Sequence, residues 1–187
     1  MERGSQMFTY RIDQELQLKL WQKQDAQRLF ELMEESREHI RTFLGFTDST
    51  KEVSDTEKFI ETALRSYAEN SAYHMGILFN RELVGTMSLH DIDMNNKSAE
   101  IGYWISKNYE GKGIISRTCK GLLDAAFHEL GLNRVQIQAV TSNNRSRAVP
   151  ERLGFKQEGI IRQKEYLHGK FEDHALYGIL KEDWVSN

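Results

Sequence analysis

The stretch Trp104-Ile105-Ser106-Lys107-Asn108-Tyr109-Glu110-Gly111-Lys112-Gly113-Ile114 joins an alternating, strand-like segment to an amphipathic one through two glycines. A strand that turns this way into a helix leaves the N–H groups of the first helical turn unpaired and aimed at one point. The helix dipole makes that point attractive to an anion. Gly111 and Gly113 lack side chains that would keep a pyrophosphate from the backbone of Ile114, Ile115 and Ser116, and Lys112 adds a screened positive charge. Glycine spacing alone leaves two readings open, an anion site and a tight turn that binds nothing. Two other phosphate motifs fit poorly. No segment supplies the Gly-x-x-x-x-Gly-Lys-Ser/Thr of a Walker loop, and Ser116 stands where a dinucleotide fingerprint needs its third glycine.

Other reactive side chains invite chemistry less well. Cys119 falls on the apolar stripe of the helix that follows the glycines, where a packed, inert thiol is expected instead of an acyl-accepting nucleophile. His168, Asp173 and His174 lack metal-ligand spacing, since the histidines are six apart across a turn and alternate to unlike faces, so no metal is expected. His90, near a strand end beside Asp91 and Asp93, reads as a polar loop residue, with a place by the substrate cleft as the alternative. Tyr103, Trp104 and Tyr166 read as core or cleft-wall aromatics.

The elements that must position these groups follow from periodicity. Phe8 to Ile12 and Leu16 to Trp21 alternate as strands, and Asp25 reads as the N-cap of a helix with Ala26, Leu29, Phe30, Leu32 and Met33 on one stripe. Ser54 or Asp55 opens a second helix, with Phe59, Ile60, Ala63, Leu64 and Tyr67 inward and its end at Asn70. Tyr73 to Phe79, Leu83 to Ile92 and Ser98 to Ile105 form a three-strand meander. A long helix starts at Gly113 and carries Ile115, Cys119, Leu122, Leu123, Ala126, Phe127 and Leu130 on one face until Gly131 stops it. Val135 to Val140 then pairs parallel to an earlier strand, because a crossover helix precedes it. Asn144 to Arg152 is a short helix, and Phe155 to Tyr166 with Phe171 to Leu180 makes a terminal hairpin. The sum is an α/β (α+β) domain, a mixed sheet with helices on its faces.

Composition narrows the function classes. Among 187 residues, 25 Lys plus Arg stand against 28 Asp plus Glu, a formal charge of −3 that argues against a nucleic-acid partner held by a basic surface. One cysteine excludes an internal disulfide and a cysteine-rich zinc site. The apolar runs, such as Met75 to Phe79, fall far short of the roughly 20 residues that span a bilayer, and Met1 to Tyr10 has no apolar signal core. The expectation is a cytoplasmic protein with no membrane partner and one domain over residues 7–187. Residues 1–6 (MERGSQ), ahead of a second methionine, read as a start-site extension or expression scar.

Several blocks in order resemble the GNAT superfamily of acyl-CoA-dependent N-acetyltransferases. Its pyrophosphate loop has the pattern Gln/Arg-x-x-Gly-x-Gly/Ala, whose places are held here by Asn108, Gly111 and Gly113, with Asn108 a mild departure. The resemblance is closer to the RimJ/RimL branch of ribosomal-protein N-terminal acetyltransferases. It runs through Leu18-x-Leu20, Asp25-Ala26-x-x-Leu29-Phe30, Ala99-Glu100-Ile101-Gly102-Tyr103-Trp104-Ile105 and Asp173-x-x-x-Tyr177-x-x-Leu180-x-x-Asp183-Trp184. It implies a GNAT-like, mostly antiparallel sheet flanked by helices. It also implies acetyl-CoA as co-substrate, held along Trp104 and Ile105 and on Gly111, Lys112, Gly113, Ile114, Ile115 and Ser116. By the same resemblance Asn143 and Ser146 line the pantetheine arm, the segment Ser36 to Phe46 shapes the way in for the acceptor, and a homodimer is expected.

Many members carry a tyrosine seven residues after that Asn as the acid for the leaving thiolate, but here the position is Pro150. In the RimL-like branch a serine matching Ser146 takes over and a glutamate matching Glu165 acts as base. The chemistry suits those types. An α-amino group titrates near ~8 and a lysine near ~10.4, so a carboxylate or an ordered water must take a proton from the amine before or during attack. The thioester oxyanion needs a backbone N–H, near Ile105 by resemblance, and the thiolate needs only a hydrogen bond or a relayed proton. Without the resemblance Ser146 reads as a cap hydroxyl and Glu165 as a solvated strand carboxylate. The resulting expectation is direct, ternary-complex acetyl transfer to a primary amine, foremost a protein N-terminus of ribosomal-protein type. A polyamine or antibiotic amine is the alternative acceptor, and a non-catalytic acyl-CoA sensor is the alternative class, supported by Pro150.

Overall fold

The computed structural model describes residues 8–184, so the reading of residues 1–6 as an extension lies outside the described residues. One eight-stranded sheet runs in the order β1-β2-β3-β4-β5-β6-β8-β7. Its strands are β1 (Thr9–Arg11), β2 (Leu16–Leu20), β3 (Tyr73–Phe79), β4 (Glu82–Asp93), β5 (Ser98–Ile105), β6 (Arg134–Val140), β7 (Lys156–Leu167) and β8 (Lys170–Leu180). All neighbours are antiparallel except β5 and β6. The meander is as tight as its sequence requires, because Asn80 and Arg81 both take positive φ (49° and 69°) in a two-residue hairpin turn whose twist matches the strands.

Helices cover both faces. α1 (Ala26–Glu34) and α3 (Val53–Ala68) pack Leu29, Leu32, Ile60 and Ala63 onto Trp21, Leu78 and Leu83 on one side. On the other, α4 (Ile114–Asp124) brings Cys119, Leu122 and Leu123 against Ile77, Met87, Ile101 and Ile137. α2 (Arg37–Arg41) and α5 (Asn144–Arg152) flank the middle of the sheet. Among the described residues no helix is long and apolar enough to cross a membrane.

Four local expectations change. Asp25 precedes α1 but makes no side-chain cap bond. Its carboxylate is taken by the Lys19 ammonium at 2.5 Å, a buried charge that needs it more, and by the Gln22 N–H at 2.9 Å. α3 starts at Val53 after Glu52, and Asp55, in its first turn, reaches back to the N–H groups of Lys51 (2.9 Å) and Glu52 (3.3 Å). Phe59 and Tyr67, placed inward by periodicity, stand 39% and 46% exposed. The long helix is α-helical only to Asp124, and Ala125–Glu129 forms a wider π turn, with Leu130 N–H donating to the Ala125 carbonyl at 3.0 Å. That turn sets Phe127 against Trp184, whose indole N–H donates to Asp124 at 2.7 Å.

The parallel contact between β5 and β6 is short. Ser98 faces Arg134, Ala99 faces Val135 and Glu100 faces Gln136, and there the pairing stops. Beyond Glu100 the strands diverge, while β5 stays paired to β4 as far as Ile105 and β6 stays paired to β8 as far as Val140. The result is a wedge-shaped gap in mid-sheet.

Candidate active site

The gap opens into a cleft of about 920 Å³. Its walls include β5 from Ile101 to Ile105, the loop through Gly111, the first turn of α4, and β6 from Gln138 to Val140. Residues of α5, together with Glu165 and His174, complete them. Trp104, Ile105, Gly111, Gly113, Ile114, Ile115, Ser116, Asn143, Ser146 and Glu165 of the expected site thus share one cavity. Lys112 is different: its ammonium folds back over the Tyr109 ring, 4.7 Å from the centroid.

At one end lies the anion site. Gly111 and Gly113 take φ of +73° and +71°, a left-handed conformation that disfavours other residues, and a Cβ on either would meet nothing within 4 Å. Backbone shape therefore dictates these glycines, and the space above them is open. Arg117 N–H is already bonded to the Gly113 carbonyl at 3.0 Å, so the free donors are those of Ile114, Ile115 and Ser116 in the first turn of α4. The Arg152 guanidinium donates to Ser116 Oγ at 2.9 Å and adds positive charge at the same end.

In the middle stands Ser146. Asn143 caps α5 by accepting from Ser146 N–H at 3.1 Å, so the cap is the Asn143 side chain and the Ser146 hydroxyl is left for other partners. Ser146 Oγ donates to the Tyr103 hydroxyl in a long 3.3 Å bond, and that hydroxyl donates to the Ser146 carbonyl at 2.9 Å. Pro150 explains the second bond. A residue at 150 would normally give its N–H to the carbonyl of residue 146, proline has none, and Tyr103 supplies the missing donor. Burial pushes the Tyr103 phenol well above its usual range, so it stays neutral.

At the far end Glu165 meets His174, whose Nε2 donates to Oε2 at 3.1 Å. A bulge between Ile161 and Glu165 aims this part of β7, with Gln163 at positive φ (51°) and its N–H held by Asp173 at 2.7 Å. The segment after α1 roofs the cleft. Ser36, the first residue of the segment expected to shape acceptor entry, is buried, shares a 3.0 Å hydrogen bond with the buried Ser106 hydroxyl and accepts from Lys107 N–H at 3.1 Å. The roof is tied at its other end by His168, which donates to the Arg41 carbonyl at 2.6 Å. Glu110 clasps the mouth between His39 of α2 (2.6 Å) and Arg145 of α5.

Sequence reasoning weighed His174 only as a metal ligand and missed its pairing with Glu165 across the terminal hairpin, and it missed the bonds of Glu110, Ser36 and the Tyr103 hydroxyl, whose partners lie far away in the chain. His90 lies within β4, its ring stacked on His74 at 6.4 Å, and is not a loop residue. With Asp91 and Glu100 it forms a cluster of potential ligand atoms, but one Glu100 oxygen already accepts from Gln136 (2.8 Å) and Gln138 (2.7 Å). Tyr166, expected in core or cleft wall, is 64% exposed and packs on Phe171 at the hairpin tip. Cys119 is fully buried, and burial pushes its thiol up to about 12.

Comparison with known proteins agrees with this fold. The family model described as an acetyltransferase (GNAT) domain matches residues 15–156. The chain is 41% identical to YdaF of Bacillus subtilis, provisionally named a ribosomal N-acetyltransferase, over 95% of this chain and 98% of that protein. Apo RimL, titled a ribosomal L7/L12 alpha-N-protein acetyltransferase, superposes with a TM-score of 0.88 at 26% identity over 96% of this chain and 98% of that one. The microcin C7 self-immunity acetyltransferase MccE, solved with acetyl-CoA and AMP, gives 0.86 at 26% identity over 90% and 94%.

Proposed function

The chain belongs to the acetyltransferase (GNAT) family, and on that premise we propose that it moves the acetyl group of acetyl-CoA directly onto a primary amine, foremost a protein N-terminus of ribosomal-protein type. One observation carries the reading: a single cleft joins the free N–H groups of α4 to Glu165 through the gap between β5 and β6. The N-terminal turn of α4 and Arg152 suit a pyrophosphate, and the gap between β5 and β6 is the path along which a pantetheine arm would run. Trp104 and Ile105 line the β5 side of that path, and Asn143 and Ser146 the α5 side.

The thioester then lies at the parting of the strands. Glu165 takes a proton from the amine as the C–N bond forms, a backbone N–H near Ile105 bears the developing oxyanion, and the C–S bond breaks. Ser146 turns its hydroxyl from Tyr103 to the departing sulfur and gives it that proton, taking one back from solvent water, while the proton on Glu165 is released to solvent after the amide has formed. The weak 3.3 Å bond makes that exchange cheap. The names of YdaF and RimL support the choice of a ribosomal-protein N-terminus.

Titration calorimetry with acetyl-CoA, followed by thiol-release assays on seryl- and alanyl-initiated peptides, spermidine and an aminoglycoside, tests the reading. Binding with release on a peptide supports it in full. Release only on spermidine or the aminoglycoside moves the acceptor to small amines, and binding without release leaves a sensor. No binding overturns it.

A further inference from the structure

The Glu165–His174 pair contains an atom that packing does not explain. A carboxylate only accepts, so the hydrogen on the shared 3.1 Å bond belongs to His174 Nε2. In the neutral ring this fixes Nδ1 as a bare lone pair, and Nδ1 is sealed from solvent with no hydrogen-bond partner in the described structure. Buried polar atoms of folded proteins are almost always paired, because an unpaired one destabilises. His174 lines the cleft with only 14% of its side chain exposed, directly opposite Val140 on β6, whose neighbours also wall the cavity. A residue kept for stability would not carry this defect, and replacing it with an apolar side chain would remove it.

We propose that His174 is a positioning residue for the base: its Nε2–H holds Glu165 Oε2, so that Oε1 is presented to the amine in one rotamer. The inference rests on the reading of Glu165 as base. Glutamate otherwise loses substantial rotamer freedom on being fixed at the reacting nitrogen, and the β7 bulge aims the backbone but not the carboxylate. His174 completes what the bulge begins. It touches neither cofactor nor acceptor in this scheme and acts only through Glu165.

The test uses the full-length protein with acetyl-CoA and two acceptors, a seryl-initiated peptide amide and spermidine, taking whichever turns over. His174→Leu should lower kcat by about 10-fold while KM for acetyl-CoA stays within about twofold, and its melting temperature should equal or exceed that of the parent. His174→Gln, which can place an N–H near the Nε2 position, should recover most of that loss. Glu165→Gln should fall by about 100-fold, and adding His174→Leu to it should cost nothing more, since the ring then has no base to hold. Unchanged kcat in His174→Leu beside a dead Glu165→Gln overturns the role of His174 and leaves the base in place. Equal losses in the Leu and Gln variants, or a large fall in melting temperature, mark a packing role and overturn it too. Full activity in Glu165→Gln removes the base reading, and this inference with it.

Discussion

The link between Pro150 and Tyr103 is open to direct measurement. Tyr103→Phe deletes one hydroxyl and little volume. It takes away the 2.9 Å donor to the Ser146 carbonyl and the 3.3 Å acceptor for Ser146 Oγ. A neutral hydrogen bond contributes about 1 kcal/mol net, and a partly buried carbonyl left without its partner adds about 1 kcal/mol, the low end of the range for buried groups. Because proline cannot restore the helical bond, the expected loss is about 2 kcal/mol, or roughly 4–8 °C in melting temperature for a chain of this size. Thermal and urea unfolding of a four-member cycle measures it: parent, Tyr103→Phe, Pro150→Ala and the double variant. Pro150→Ala restores an N–H to the Ser146 carbonyl, so it should recover about 1 kcal/mol more in the Tyr103→Phe background than in the parent. The cavity left by the proline ring cancels in the cycle. A Tyr103→Phe variant within about 0.5 kcal/mol of the parent, or a coupling near zero, refutes the argument.

Three further outcomes follow from the same geometry. Gly113→Ala should cost roughly 1 kcal/mol of stability for its left-handed backbone yet keep acetyl-CoA binding, whereas Gly113→Asp should abolish binding by repulsion at the anion site. Calorimetry separates the two, and unaltered binding in Gly113→Asp would make the loop an idle turn. Burial, and then the nearby His90, hold His74 below its usual value of 6.5, so the unfolded chain binds this proton first. Stability should therefore be full above about pH 6.5 and fall as the pH drops toward the folded-state value. His74→Phe should flatten that limb in urea titrations at pH 7.5 and 5.5, and an unchanged limb would assign it elsewhere. Cys119 should resist alkylation in the native protein, and Cys119→Ala should keep its turnover. A loss of turnover, or a trapped acyl-thioester, would replace direct transfer with a covalent route.

Much of this was legible in the chain because local chemistry fixed it. β3 and β5 start and stop where expected, since Asn80 and Arg81 can adopt the left-handed turn and the run to Ile105 ends at the Gly111 loop. α5 matches to the residue, bracketed by the Asn143 cap and Gly154 at positive φ (82°). The phosphate-loop residues other than Lys112 converge with Asn143, Ser146 and Glu165 on one cleft. What stayed hidden depends on tertiary demand. Asp25 abandons its cap because Lys19, across a turn, is buried and needs a counter-charge. Ser36 becomes a buried strut only once Ser106, 70 residues away, is brought to it. His174 was weighed only as a metal ligand, and its pairing with Glu165 depends on the bulge in β7.

The parting of β5 and β6 also caps how rugged this protein can become. A sheet normally gains by extending every ladder, and an ordinary route to a hardier fold would be to zip these two strands together past Glu100. Each added rung would narrow the passage between the phosphate end and Glu165. The two inner edges must therefore remain unpaired beyond Glu100, as walls of the cleft. Selection for heat tolerance in this lineage would have to act on the helices and the outer hairpin, leaving the seam in the middle untouched.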